Sequence, residues 1–303
     1  MTSELVARVE ADLDRDVHPA IAEYARVLAE EAGALAVLFY GSNLRTGSLD
    51  GVIDYYLLLP GRAERGLWPR VSYRESPWQD DVLHAKIATM TLEKFSEAAR
   101  GDTIDTTIWA RFVQPAALIW SRDDSVHDAV VAAICDAVCT ASRLAVAVGP
   151  PSGLQDEYWR ALFRATYRAE LRVEKPGREQ AIIAPNAGHF DGLLSAGLRE
   201  QNIAYRRNGA SIEPLMPPYE RAAVRRWWNL RRRLGKALNM VRLARATRTF
   251  EGAARYAAWK IERHTGIPVK LTERQERHPV LAAPRIAWVV MREKRRQSRD
   301  RPR

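Results

Sequence analysis

Three things are scarce in this 303-residue chain: cysteine, unbroken apolar stretches, and acidic residues in its last third. Each shortage removes a class of protein. The two cysteines, Cys135 and Cys139, cannot build a disulfide framework. Four apart in AAICDAVCTA, they share one helical face and read as buried reduced thiols, since a metal pair would need further ligands. A reducing, cytoplasmic compartment is the expectation. No unbroken apolar run approaches the ~20 residues of a spanning helix. The start, MTSELVARVEADLDRD, lacks the basic flank and apolar block of a secretory signal. The expected protein is neither exported by that route nor integral to a membrane.

The third shortage is regional. From Arg221 to Arg303 there are 24 basic and 6 acidic residues, a net +18, so an overall +10 leaves the remainder at −8. A basic tail on an acidic body predicts contact with a polyanion, either an anionic membrane surface or nucleic acid. What is plentiful is core-forming material: 47% of residues are hydrophobic, enough for one large domain or two ordinary ones.

Helical spacing of Ile21, Tyr24, Ala25 and Leu28 predicts a helix that ends at Gly33 and runs into a strand, LAVLFY. After the next apolar run, PGRAERGLWPRVSYRESPWQDD reads as a loop. VLHAKIATMTLEKF then alternates, with Val82, His84, Lys86 and Ala88 on one side, before turning helical. A helix stopped near Pro115, a short strand and a long apolar-periodic helix follow, ending at the Gly149-Pro150-Pro151 break, where a domain boundary is expected. EYWRALFRATYRAELRVEK is amphipathic, with Arg160, Arg164, Arg168 and Arg172 in a row that is either a solvated face or an anion-binding wall. The Arg-rich end, REKRRQSRDRPR, reads as disordered.

One stretch raises a chemical question: ALAVLFYGSNLRTGSLDGVIDYYLLLPG, Ala34 to Gly61. Two apolar runs are separated by Gly41-Ser42, and Asp54 stands at the head of the second. An ionised carboxylate gains nothing from starting a buried strand, so Asp54 requires a cation, a hydrogen-bond donor or water. A strand ending in Gly-Ser frees backbone N–H groups where glycine allows close approach, which suits a triphosphate. A carboxylate on the following strand could then hold the Mg2+ that bridges the phosphates. The plain alternative is an ordinary turn with Asp54 as a cap. This order resembles the nucleotidyltransferase superfamily that includes DNA polymerase β. That superfamily usually alternates two acidic residues on the strand, whereas here the second position is Tyr56. Asp50 is the candidate second metal ligand beside Asp54, with Asp102 or Asp105 as later alternatives.

Read in order, FYGSNLRTG, IDYYLLL, HAKIATM, TTIWARFVQP and PNAGHFDGLL resemble the mitochondrial-type phosphatidate cytidylyltransferases, or translocator assembly and maintenance proteins. The likeness runs in patches from Leu35 to Leu194, departing at Asn43 and at Lys86-Ile87-Ala88, where that family has Gly and Lys-Tyr-Gly. It implies an α+β chain: a polymerase-β-like nucleotidyltransferase domain over 1–148, a mainly helical, winged-helix-like domain over 149–216, and a basic amphipathic membrane-binding region over 217–303. The implied reaction joins CTP and phosphatidic acid to give CDP-diacylglycerol and pyrophosphate, with Mg2+, at the inner face of the membrane. Tyr40, Gly41, Ser42 and Lys86 would bind the nucleotide, Asp54 the metal, and His189 and Arg168 the substrate phosphate. The plainer readings are a solvent-facing Lys86 and a packed or capping His189.

In the tail, Ala223, Trp227, Leu230, Leu234, Leu238 and Val241 recur at steps of three and four, with Arg225, Arg232, Arg233 and Lys236 elsewhere on the wheel. That is the composition of an interfacial helix, and PRIAWVVMREKRRQ is a second candidate. The rival readings are a nucleotidyltransferase acting on RNA, with tryptophans stacking bases, and a catalytically lapsed, membrane-bound scaffold, suggested by the missing second Asp.

Overall fold

A computed structural model of the chain describes residues 3–66, 69–79, 81–169 and 179–265, with four isolated positions beyond. Arg172, PRIAWVVMREKRRQ and the Arg-rich end lie outside the described residues. The fold is α+β.

Helices α1 (Glu4–Leu13) and α2 (Pro19–Ala32) lead into β1 (Ala36–Tyr40). Pro19 opens α2, and Gly33 closes it at φ 59°, a left-handed cap that glycine takes without strain. After Gly41 the chain makes a short helix, α3 (Ser42–Thr46), where only a turn was expected, and β2 (Val52–Leu59) begins two residues before Asp54. The stretch read as a loop contains a strand, β3 (Arg70–Trp78). It is an edge strand whose one fully buried side chain is Tyr73, so no apolar alternation marks it. Then come β4 (Asp81–Thr91), α4 (Leu92–Ala99), α5 (Thr107–Phe112), β5 (Ala116–Ser121) and α6 (Asp124–Val148).

The sheet order is β3-β4-β2-β1-β5, with β2 and β4 parallel and the other pairs antiparallel. Period-two alternation divides its faces. Val37, Phe39, Ile53, Tyr55, Leu83, Ala85 and Ile87 pack on α2. Leu38, Tyr40, Tyr56, Leu58, Ala88 and Met90 pack into a larger core with α1, α4, α5 and α6. No apolar run is unbroken over that length, but by length and composition one helix could cross a membrane: α6 has 25 residues and a window of mean hydropathy 1.7. However, 72% of that window is buried in the protein, and α6 is the central core helix.

The same core continues past Gly149 into β6 (Gly153–Leu154), α7 (Gln155–Ala169), α8 (Gln180–Ile183), α9 (Ala187–Phe190), α10 (Leu193–Glu200), β7 (Tyr205–Asn208) and β8 (Ser211–Pro214). β6, β8 and β7 form a second small sheet in that order. Cys135 is buried on α6, Cys139 is half-buried, and burial pushes both thiols up to about 12.

The tail is helical: α11 (Pro218–Thr249) and α12 (Ala253–Thr265). Trp228 is buried at 4% exposure, and both Trp227 and Trp228 meet Trp109, with ring centroids 6.0 and 6.2 Å away. Buried Arg231 donates to the carbonyls of Gly101 (2.6 Å) and Thr103 (2.7 Å) while lying 3.9 Å over the Trp227 ring. Arg225, expected on a cationic face, donates instead to the Ala147 carbonyl at the end of α6 (2.8 Å). One side of α11 is therefore committed to the body.

Where α10 crosses α6, a Cβ on Gly197 would lie 2.5 Å from Ser142 Oγ and 3.2 Å from Val138. Gly197→Ala is expected to cost about 1–3 kcal/mol by overpacking, read by urea unfolding. Gly188→Ala, whose Cβ meets nothing within 4 Å, is expected to be neutral or slightly stabilising.

Candidate active site

Strand register carries one row of side chains across the sheet: Tyr40 on β1 opposite Asp54 on β2, Asp54 opposite Lys86 on β4, and Lys86 opposite Tyr73 on β3. Directly paired residues share a face, so the carboxylate sits between an aromatic ring and an ammonium. Lys86 Nζ is 4.0 Å from Asp54 Oδ1, both side chains being half-buried. Burial pushes the Asp54 carboxyl above its ordinary value, with Lys86 and Arg111 pulling the other way. Burial likewise pulls the Lys86 ammonium down, Asp54 opposes this, and the charges of Arg111, Arg242 and Lys260 add to the depression. One carboxylate thus faces a surplus of cations, an environment that favours an anionic ligand.

Gly41 lies beside Asp54 at φ 98°, and a Cβ there would be 3.2 Å from Asp54 Oδ2. The glycine both permits the backbone conformation and keeps the carboxylate uncovered. Exposed Ser42 follows. Buried Asn43 donates to the carbonyls of Ser48 (2.9 Å) and Asp50 (2.8 Å), locking the loop between α3 and β2. Asp50 has an exposed side chain on that loop. Asp102 accepts from Arg100 at 3.0 Å, and buried Asp105 is bonded by Thr107. The position of a second strand carboxylate is taken by Tyr56, 2% exposed and packed on Phe95 and Phe112 at 5.7 and 5.4 Å. A charge there would be buried in the core.

Among the described residues no group of three or more His, Cys, Asp or Glu side chains could hold a metal. Mg2+ is commonly bound through one or two carboxylates with water and substrate phosphates. Asp54 fits the minimal form of that donor set, with phosphates supplying the remaining charge.

Tyr40, Gly41 and Ser42 form one wall of a cavity of about 730 Å³, within the range of small-molecule sites. Arg15, Arg45 and Arg111 also line it. The Arg111 guanidinium stacks 4.7 Å over the Tyr40 ring, and burial pushes the Tyr40 phenol up to about 12. Across the cavity stand Phe163, Thr166 and Tyr167 of α7, together with Asn186 and His189. His189 is held on both ring nitrogens, Nδ1 with Asp12 Oδ2 at 2.8 Å and Nε2 with the Val113 carbonyl at 2.9 Å. It builds the cavity wall by bridging α1, the end of α5 and α9. Arg168 is exposed at the end of α7, outside the cavity lining, and Arg164 in the same row pairs with Glu179 at 2.6 Å.

The structure therefore brings Tyr40, Gly41, Ser42, Asp54 and Lys86 together and places His189 across the cavity. Arg111 and Asp12 help build the cavity wall, which sequence reasoning did not indicate, and Asn43, noted only as a departure from the resembling family, holds the loop before β2. Arg111 lies inside the quoted TTIWARFVQP segment, but nothing in its spacing points to Tyr40. No protein-family model matches the chain, and no curated protein matches it.

The Asp12–His189 contact gives a pH signature. Burial alone would raise the Asp12 carboxyl; the bond and charge of His189, then those of Arg15, more than reverse this and hold it below its ordinary value. A depressed folded value stabilises fully above the unfolded value of about 3.9 and is lost as pH falls through the folded value. The stability gap between the parent and Asp12→Asn should close as pH falls from about 6 to about 3, measured by urea unfolding. A gap unchanged across that range would remove Asp12 from the bridge.

Proposed function

We propose that the chain is a Mg2+-dependent nucleotidyltransferase that transfers a cytidylyl group from CTP to phosphatidic acid, giving CDP-diacylglycerol and pyrophosphate. The observation that carries this is the Tyr40–Asp54–Lys86 row, whose Tyr40 end lines an arginine-rich cavity together with Gly41 and Ser42, while Asp54 and Lys86 stand behind that wall rather than in the lining. In this reading Gly41 and Ser42 offer backbone donors to the triphosphate, and Arg45 and Arg111 neutralise it from the cavity wall. Asp54 would hold the metal, which when bound supplies charge neutralisation to the phosphates. Lys86 meets the phosphate charge as a point cation.

The acceptor phosphate is already an anion and requires little proton abstraction. Its oxygen attacks the α-phosphorus of CTP, a new P–O–P link forms, and the bond to the β-phosphate breaks with pyrophosphate taking the electron pair. The protein's share is alignment and charge cancellation.

The β6, α7, α10, β7, β8 order, with the three strands in one small sheet, supports the winged-helix-like reading. Its first helix would then be α6, so that unit would share a core with the nucleotidyltransferase part rather than beginning at 149.

The outer side of α11 supports a peripheral membrane position at the inner, cytoplasmic face. Leu230, Leu234 and Val241 are 52%, 36% and 57% exposed and recur at steps of four and seven along one stripe, near exposed Arg226, Arg233 and Lys236. An apolar stripe with cationic flanks suits an anionic lipid surface. RNA stacking is disfavoured because Trp227 and Trp228 are engaged with Trp109.

Two tests follow. Full-length protein incubated with Mg2+, radiolabelled CTP and phosphatidic acid in mixed micelles should place label in the organic phase. Asp54→Asn should lower that rate about a hundredfold or more without changing the circular dichroism spectrum; retained transfer would refute the role of Asp54. For the membrane, the protein should float with anionic and not neutral liposomes, and Leu230→Glu with Leu234→Glu should stay at the bottom of the gradient.

A further inference from the structure

The tail does more than present an outer stripe. At the α11–α12 turn, the Tyr73 N–H donates to the Glu251 carbonyl at 2.8 Å, in a parallel bridge between Ser72 and Glu251. Gly252, at φ 77°, is pressed so closely on this strand that a Cβ would lie 2.4 Å from the Tyr73 carbonyl oxygen. The backbone thereby fixes α12 over the β3–β4 side of the sheet. Ala254 and Ala258 are buried beneath it, Tyr256 packs on Tyr73 at 5.4 Å, and Trp259 packs on His84 at 4.9 Å. His84 and Tyr73 are the flanking neighbours of Lys86 on the same face.

The cations of both tail helices follow from this seating. Lys260 Nζ lies 5.1 Å over the Tyr256 ring. The Arg263 guanidinium reaches the loop before β2, 3.3 Å from where a Cβ on Gly51 would stand. On α11, Arg242 is part-buried although Met240 and Val241 beside it are 64% and 57% exposed. It lies eleven residues beyond buried Arg231 and seven beyond Gly235, which is packed on the Ala169 carbonyl. Those spacings return to the same helix face, so Arg242 turns toward the body. α12 and its cations lie over the β3–β4 side of Asp54, whereas Tyr40 and Arg111 wall the cavity on the β1 side; Arg242 lies between the two, its charge reaching Tyr40 as well as Lys86.

We propose that Arg242, Lys260 and Arg263 form with Lys86 an anion subsite on the β3–β4 side of Asp54, which takes the phosphate monoester of the acceptor. The proposal deepens the nucleotidyl-transfer reading and rests on it for the sense of attack: nucleotide from the cavity side, acceptor from under α12. The geometry behind it is the seating of α12, which sets Trp259 on His84 and Lys260 on the Tyr256 ring beside Tyr73, the two residues that flank Lys86. A monoester with two negative charges neutralises more of this cluster than a singly charged diester, so the subsite distinguishes monoesters from other anionic headgroups.

Binding to the full-length protein tests this without any turnover. Calorimetry would use glycerol 3-phosphate as a soluble monoester, phosphatidylcholine vesicles doped with phosphatidic acid or with phosphatidylglycerol, and Mg2+-CTP as separate titrants. Arg242→Gln with Lys260→Gln should weaken monoester binding about tenfold or more and leave Mg2+-CTP binding unchanged. Arg206→Gln, on exposed β7, removes a charge elsewhere and should change neither. If Arg242→Gln destabilises the fold, Lys260→Gln with Arg263→Gln, both at exposed positions, makes the same comparison.

Weakening with both phosphate probes means that the monoester alone suffices, and weakening confined to phosphatidic acid vesicles identifies the lipid as its source. Equal binding of phosphatidic acid and phosphatidylglycerol vesicles, or monoester binding indifferent to the variants, overturns the subsite. Should CTP fail to bind while the variants still lose monoester binding, the cytidylyl-transfer reading falls and the subsite stands.

Discussion

A carboxylate on the central strand of a five-stranded sheet has to be given a counter-charge, and the surroundings of Asp54 follow from that requirement. Its neighbour on the parallel strand is Lys86, near enough for an ion pair and exposed enough to exchange it for a ligand. The next residue along β2 that faces the same way must be apolar, because it lies under α4 and α5, and it is Tyr56. The residue that follows β1 at the edge of the carboxylate must have no side chain, and it is Gly41. With Arg111 stacked on Tyr40 and the tail cations beyond, the local field is positive despite the carboxylate, an environment that suits an anion.

The tail is built around a second constraint, the need to hold a strongly basic helix against a body that is itself acidic only on average. Long-range attraction would be too diffuse to fix one orientation. Arg231 does so locally, with its guanidinium shared between two carbonyls and an indole face. Burial lowers this guanidinium to about 10, so the clamp remains charged at neutral pH. Once one face of α11 is committed, the stripe through Leu230, Leu234 and Val241 can only point outward. The proposed surface attachment and the proposed anion subsite therefore fall on different sides of one helix and do not compete.

Much of this organisation was legible in the residues. The helix ending at Gly33, the strand into Gly41-Ser42 and the sidedness of β4 all follow from local rules of capping and alternation. β3 escaped notice because an edge strand rich in charge, with Pro77 near its end, carries little apolar pattern. The pairing of Asp54 with Lys86 depends on the register of two parallel strands about thirty residues apart in the chain, a tertiary fact with no local signature. In α11, helical spacing correctly marked an apolar stripe but grouped half-buried Trp227 with outward-facing Leu230, and it could not tell that Arg225 and Arg231 serve as caps and clamps. Charge type is visible in sequence; its assignment to solvent or to a carbonyl depends on what lies opposite.

The bridge between Ser72 and Glu251 carries one more implication, for self-association. β3 is the outermost strand on its side of the sheet, and such a strand offers its unpaired amides and carbonyls to any passing chain. Arg70, Arg74 and Pro77 discourage that approach along parts of its length, while the middle, at Ser72 and Tyr73, is occupied by the protein's own tail. Truncation before Glu251 would thus uncover a docking edge for a second molecule, and two truncated chains would tend to pair through it as a dimer.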